Sequence, residues 1–300
     1  MHYQGVSIDD TFAEAFSMRA ARLIVTAASE RWARIAAECL TGFATSVIGC
    51  KCEAGIERPL SPEETPDGRP GQAILFFVMK KNDLAKRLVE RVGQTILTCP
   101  TTACFDGLPA TEYRAPVGAA LRAFGDGFQS SKLIDGERYW RIPVMEDEFL
   151  VSDSFGAAPA IGGGNFLILA RDATTALAAA EAAVAAIGPL PDVILPFPGG
   201  VVRSGSKVGS RQYKNLIATT NDAFCPTLAP RVKTALPEGV NSVLEIVLDG
   251  LSHAAITTAI RAGVHAACLS GVTAISAGNY GGKLGPHHFH LRELLAPVSS

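Results

Sequence analysis

NFLILA, residues 165–170, is an apolar run of strand length, and Asp172 just beyond it opens an alanine-rich helix carrying Leu177, Ala180, Val184 and Ile187. A continuous apolar run followed by a capping aspartate reads as a buried strand feeding a helix. Residues 192–195 then give a short strand ending at Pro196, and residues 241–248 (NSVLEIVL) give another. Ser252 caps a helix with Ile256, Ile260 and Ala267 on one face, and residues 272–276 close the series. The order is β-α-β-β-α-β, the split βαβ arrangement.

The first half of the chain has the same order. Residues 20–28 (AARLIVTAA) form a strand, and Ser29 caps a helix with Trp32, Ile35, Ala36 and Cys39 on one face. Residues 45–52 read as extended and residues 72–79 (QAILFFVM) as a second strand. Asn82 caps a helix with Leu84, Leu88, Val92 and Ile96 at i+4 spacing, and residues 101–105 close the unit. The chain is thus expected to be an α+β protein of duplicated ferredoxin-like lobes with loop insertions, divided into 1–148 and 149–300. Gly162, Gly163 and Gly164 mark the start of the second lobe. Helices on one face leave the other face of each sheet to a second lobe, another subunit or a ligand, so association is expected. The insertions are 128–155, with a hairpin turn at Asp135-Gly136, and 199–239. The loop 61–71 (SPEETPDGRPG) is also long for a connector, and long loops on a rigid scaffold commonly carry function.

Composition narrows the classes. Of 300 residues, 48% are hydrophobic and 19% charged, with a formal net charge of -2. That is ample for a sizeable core, and the absence of a basic stripe argues against nucleic acid as a partner. No apolar run has the length of a membrane span, and the start lacks the pattern of a secretory signal. Seven cysteines at irregular spacing do not suggest a disulfide framework, in keeping with a cytoplasmic protein.

The candidate motifs are loops. SGSKVGS (204–210) could offer backbone N–H groups and Lys207 to an anion, though the spacing is not that of a Walker loop. SAGNYGGKLG (276–285) follows a strand without opening a helix, so it is not a dinucleotide fingerprint. His287, His288 and His290 lack flanking ligands at metal-binding spacing and read as a solvated tail, so no metal is expected. His253 and His265 read as surface or helix-packing residues.

In NSVLEIVLDG, Leu244, Ile246 and Leu248 share one strand face and Val243, Glu245 and Val247 the other. A carboxyl among valines is poorly solvated, which raises its pKa and favours the neutral acid. Such an acid can donate to a developing oxyanion. The pattern equally fits a structural Glu245 paired with a cross-strand cation.

Taken together, DTFAEAF (10–16), PEETPDGRPG (62–71), FGDGFQ (124–129), SDSFG (152–156), GGNF (163–166), PFPGG (196–200), SKVGS (206–210), TNDAFCPT (220–227), LPEGV (236–240) and SAGNYGGKLG resemble the formylmethanofuran:tetrahydromethanopterin formyltransferase family nearly end to end. The resemblance implies a homotetramer, no metal or tightly bound cofactor, and methanofuran-type and tetrahydromethanopterin-type carriers as substrates. It also implies a cleft at a subunit interface and a buried catalytic glutamate, here Glu245. The alanine-rich composition and the HHFHLREL ending are closer to the version in methylotrophic bacteria, a subunit of a formyltransferase/hydrolase complex. Ser206, Lys207, Asn221, Asn279 and Gly281, on family-matched loops, are expected to line the cleft. The rival expectation is a non-catalytic, carrier-binding subunit of a formyl hydrolase complex, which would have lost the acid on the LEIVLDG strand.

Overall fold

The computed structural model describes residues 1–296 apart from positions 109, 110, 112 and 135. The chain is a mixed α+β protein of two compact units, Met18–Ala160 and Met1–Ser17 with Ile161–Ser300. Two long strands, Phe12–Thr26 and Phe155–Ala170, contribute residues to both.

In the Met18–Ala160 unit, Phe12–Thr26 pairs antiparallel with Gly71–Val78 and with Ala103–Asp106, and Gly71–Val78 pairs antiparallel with Glu53–Leu60. The sheet continues through Glu148–Ser152, Glu137–Pro143 and Ser130–Ile134. Ile134 faces Glu137 across the last hairpin; Asp135 of the expected turn lies outside the described residues. The helix Glu30–Gly42 starts where Ser29 Oγ accepts from Trp32 N at 3.4 Å. Its buried stripe is Ala33, Ala36, Ala37 and Leu40, and Cys39 is exposed. The helix is therefore turned slightly from the expected face.

Leu84, Leu88, Val92 and Ile96 are all fully buried, as the i+4 pattern demands. A regular α-helix would carry the fourth of these off the core face. The chain avoids this by widening from the α-helix Leu84–Arg91 into a π turn, Val92–Ile96, where Leu97 N donates to Val92 O at 2.9 Å. A 3-10 turn, Lys81–Asp83, precedes the helix, so Asn82 is not its cap. Residues 45–52 are turns, and the strand starts at Glu53. The local apolar pattern is overruled there by Glu53 Oε1, which accepts from Val47 N at 3.0 Å and folds the segment back. The loop 61–71 is tied into its own unit. Arg69 Nε donates to Asp67 Oδ2 at 2.8 Å, and Thr26 Oγ1 donates to Asp67 Oδ2 at 2.8 Å.

In the other unit, Phe155–Ala170 pairs antiparallel with Ser242–Gly250 and Val272–Ser276, and Ser242–Gly250 with Val193–Ile194. The helices Ala173–Ile187 and His253–Ala267 cover one face. Asp172 caps the first through Thr175 N at 2.8 Å and Ser252 the second through Ala255 N at 3.1 Å. Phe166, Ile168, Ile246, Leu248, Ile256 and Ile260 form their shared core. Leu177 is 48% exposed, and Ala176, Ala179, Ala180, Ala183 and Ile187 carry the contact. Gly162, Gly163 and Gly164 open no new element. They lie inside the long strand, at a break in its register with Ser242–Gly250. The opposite face of this sheet is partly covered from within the unit, by Phe224 and Leu236 of the 199–239 insertion and by Val240 just after it, packing on Leu167, Leu169 and Ala274. His287–His290 is a strand, not a solvated tail. It pairs antiparallel with Phe12–Ala15, and Phe289 is buried.

Candidate active site

The strand Ser242–Gly250 carries the site. Its side chains alternate as strand geometry requires. Ile246 and Leu248 are buried against the helices with Leu244 beside them, while Val243 packs on the opposite face. Glu245 belongs to that second face. Its register partner on one side is Leu167. On the other side is Val202, which exchanges N–H···O bonds of 2.8 and 2.9 Å with Glu245. Both backbone edges at Glu245 are closed, so the sheet sets the position of its side chain.

Glu245 lines a cleft of about 650 Å³, with Leu167, Leu177, Val243 and Phe224 as apolar walls and Arg203 and Asn221 as polar ones. The carboxyl is half-buried, and among the described residues no hydrogen-bond donor or cation holds it. Its cross-strand neighbours are both apolar, which removes the cross-strand cation that a purely structural role would need. Burial pushes its pKa from 4.5 to about 7, because a charge between apolar walls loses water. Near neutral pH a large share of the group is therefore a neutral acid, able to donate a hydrogen bond.

The glycine-rich run after Val272–Ser276 is held on two sides. Asn165 Oδ1 accepts from Gly278 N at 2.6 Å, and Asn165 Nδ2 donates to Gly278 O at 3.2 Å. Glu14 is buried and accepts four backbone N–H groups. Tyr280 and Gly282 donate to Oε2 at 2.6 and 2.9 Å, and Leu284 and Gly285 to Oε1 at 2.6 and 2.7 Å. Burial by itself pushes this carboxyl up, but the four donors outweigh it and bring the pKa down to about 2. Gly285 has to be glycine, since a Cβ there would lie 2.2 Å from Ala15 O. The phenol of Tyr280 is raised by burial first and then by the negative potentials of Glu245 and Glu14.

Of the residues singled out in the sequence, Glu245 and Asn221 meet in this cleft. Asn221 packs over Gly205, where a Cβ would lie 3.7 Å from its own. Ser206 is exposed on the neighbouring segment. Lys207 starts a two-residue strand paired with Ala218–Thr219, and its Nζ is held by Asp222 Oδ2 at 2.6 Å, so its charge is already met. Asn279 and Gly281 sit in the glycine-rich loop and not on the cleft wall. Asn279 Nδ2 donates to Thr11 Oγ1 at 3.0 Å and to Phe12 O at 3.2 Å, and Gly281 N donates to Asn279 Oδ1 at 3.1 Å. Arg203, Tyr280 and Glu14 were not singled out. Arg203 follows the Val202 bridge, which no local pattern announces. Glu14 stands in an alternating Phe-Ala-Glu-Ala-Phe run that marks a strand but not its distant loop partner. Among the described residues no group of three His, Cys, Asp or Glu is arranged to hold a metal ion.

A second cavity, of about 340 Å³, lies in the Met18–Ala160 unit beside Arg69, Thr101, Glu146 and Glu148. Glu146 and Glu148 are exposed to solvent, so the cleft beside Glu245 is the stronger chemical site.

A desolvated acid in an apolar cleft is an arrangement that acid-assisted chemistry on an organic ligand uses. Comparison narrows this. The formylmethanofuran-tetrahydromethanopterin formyltransferase profile matches residues 1–144 and that of the family's proximal lobe residues 147–294. A formylmethanofuran–tetrahydromethanopterin formyltransferase of Methylococcus capsulatus is 60% identical over 300 residues, covering 99% of this chain and all of that one. The solved formyltransferase from Methanosarcina barkeri superposes with a TM-score of 0.91 at 51% identity, covering 98% of this chain and 100% of its own. A chain of the formyltransferase/hydrolase complex from Methylorubrum extorquens, solved with methylofuran, superposes with a TM-score of 0.95 at 52% identity, covering 99% of each. The chain belongs to the formylmethanofuran-tetrahydromethanopterin formyltransferase family.

Proposed function

We propose that this protein transfers a formyl group reversibly between the amine of a methanofuran-type carrier and N5 of a tetrahydromethanopterin-type carrier. The observation that carries the reading is identity of 60% with a formyltransferase over essentially the whole of both chains. Both carriers are substrates. The nitrogen of one adds its lone pair to the formyl carbon, the C=O pair moves onto oxygen, and a tetrahedral intermediate forms. The oxygen's electron pair then re-forms C=O as the C–N bond to the other nitrogen breaks; the attacking nitrogen gives up its N–H proton and the departing nitrogen takes one up, so no net proton is gained or lost. No formyl-enzyme is needed, so the chief task is to hold two carriers in line.

Glu245 is assigned as the acid that donates to the oxyanion and relays a proton to the departing nitrogen. Its raised pKa in an apolar cleft supports the role. Its presence also counts against a non-catalytic, carrier-binding subunit. Asn221 is assigned to carrier contact from the cleft wall, and Ser206, Lys207, Asn279 and Gly281 to carrier binding from the flanking loops. The duplicated ferredoxin-like reading, with lobes 1–148 and 149–300, is supported by the pairing. In each half the closing strand lies beside the first, followed by the third and then the second, all antiparallel. The two profile matches, meeting at residues 144 and 147, support the lobe boundary. We assign a cytoplasmic homotetramer. Assembly with hydrolase subunits is inferred from the relative in Methylorubrum extorquens, itself one component of a formyltransferase/hydrolase complex and 54% identical to this chain.

A formyl-exchange assay with each carrier alone and both together tests the reaction. Turnover only with both supports direct transfer, and hydrolysis with one alone overturns it. Glu245→Gln is expected to lower kcat about 10²–10³-fold. Unchanged turnover would remove the acid role.

A further inference from the structure

We propose that Glu14 is a positioning residue for the reaction, whose carboxylate fixes the glycine-rich loop 277–285 and so seats Tyr280 against the face of the sheet that carries Glu245. This rests on the assignment of Glu245 as the acid and extends it to the loop that leaves the sheet in the same row as that acid.

The geometry runs through three adjacent strands. Glu245 lies opposite Leu167, and Leu167 lies opposite Ser276, so the three occupy one row on one face. In the next row Val247 lies opposite Asn165, whose amide clasps Gly278 from both sides. The loop therefore leaves the sheet in the row of Glu245 and is fastened in the row beside it. From there it has no ladder to follow. Gly281 and Gly282 adopt positive φ of 72° and 71°, a turn with no regular hydrogen-bonding partner strand. Glu14 replaces that partner. Its two oxygens take four N–H groups between residues 280 and 285, and its own N–H donates to Gly278 O at 3.2 Å.

A buried carboxylate with four backbone donors is an anion nest whose anion is part of the chain. Charge-assisted bonds of this kind are stronger than neutral ones and orient the donors sharply. The residue they orient first is Tyr280, whose N–H points to Oε2 while its ring packs 6.2 Å from that of Phe16. Among the charged and titratable groups, Arg203 lines the cleft with Glu245, and Tyr280 feels the potentials of both Glu245 and Glu14. Glutamine at position 14 would keep the length but turn one oxygen into an NH₂ group facing two N–H donors. Aspartate would keep the charge but stand back from the loop.

The test measures Glu14→Gln, Glu14→Asp, Tyr280→Ala and Glu245→Gln side by side in the full chain. The readouts are kcat, KM for each carrier, the pH profile of kcat and amide exchange across 278–285. Glu14→Gln is expected to lose about 10–100-fold in kcat, as small misplacements near a reacting centre do, with KM raised for the carrier that Asn279 and Gly281 contact. Its loop amides should exchange faster. Water admitted to Glu245 lowers the pKa of that acid, so the alkaline limb of the profile should move to lower pH. Glu14→Asp should recover part of the turnover. If Glu14→Gln does not accumulate as folded protein, Tyr280→Ala decides, through the same shift of the alkaline limb. Full turnover with an unmoved pH limb in Glu14→Gln or Tyr280→Ala, beside an impaired Glu245→Gln, overturns this inference alone. Full turnover in Glu245→Gln overturns the assignment on which it rests.

Discussion

Glu245 and Glu14 lie in the same unit and their carboxyls are pulled in opposite directions. Apolar walls push Glu245 up to about 7, while four backbone donors overcome burial and hold Glu14 at about 2. The consequences for stability have opposite signs. Glu245 binds a proton more tightly folded than unfolded. Its contribution is therefore greatest below the unfolded value of 4.5 and is lost as pH rises toward 7. Glu14 contributes fully above 4.5, and that contribution is lost as pH falls toward 2. Melting temperatures at pH 5 and pH 7.5 should show the first effect. The drop between them should be smaller in Glu245→Gln than in the parent protein, and an unchanged drop would mean that Glu245 is hydrated and ordinary. The apolar setting of Glu245 was legible from the alternation in NSVLEIVL. Glu14 could not be read that way, because its partners lie some 270 residues further along the chain.

The elements show where local signals suffice and where packing overrides them. Ser29, Asp172 and Ser252 each cap the helix expected of them, because a cap is a contact across three residues. Ser252→Ala should destabilise by about 1 kcal/mol in urea unfolding. That helix carries Ile256 and Ile260 under the site strand, so turnover of the folded enzyme should stay unchanged. The run 45–52 has an extended, apolar look but is folded into turns by the carboxylate of Glu53. The spacing of Leu84, Leu88, Val92 and Ile96 marked the buried face correctly. What spacing alone could not convey is the π turn that lets all four reach it. The histidine-rich tail has no strand signal of its own. It becomes a strand because Phe12–Ala15 offers it an edge and Phe289 a buried seat.

At the scale of the molecule, a sheet face that carries an acid and is only partly covered within its own unit leaves apolar walls for carriers or neighbouring subunits. Four chains per particle are expected in sedimentation equilibrium, and a stable monomer with full activity would refute both the tetramer and the need for a neighbour at the site. The sequence by itself determined the α+β class, the two faces of the Glu245 strand and the family. Each of these is written in spacing of two to four residues or in contiguous blocks. Only the tertiary structure decided that Lys207 is neutralised by Asp222, that Asn279 and Gly281 brace a loop, and that the loop closes on Glu14. These are pairings between groups far apart in the chain, and a linear pattern carries no information about which distant donor a buried carboxylate will meet.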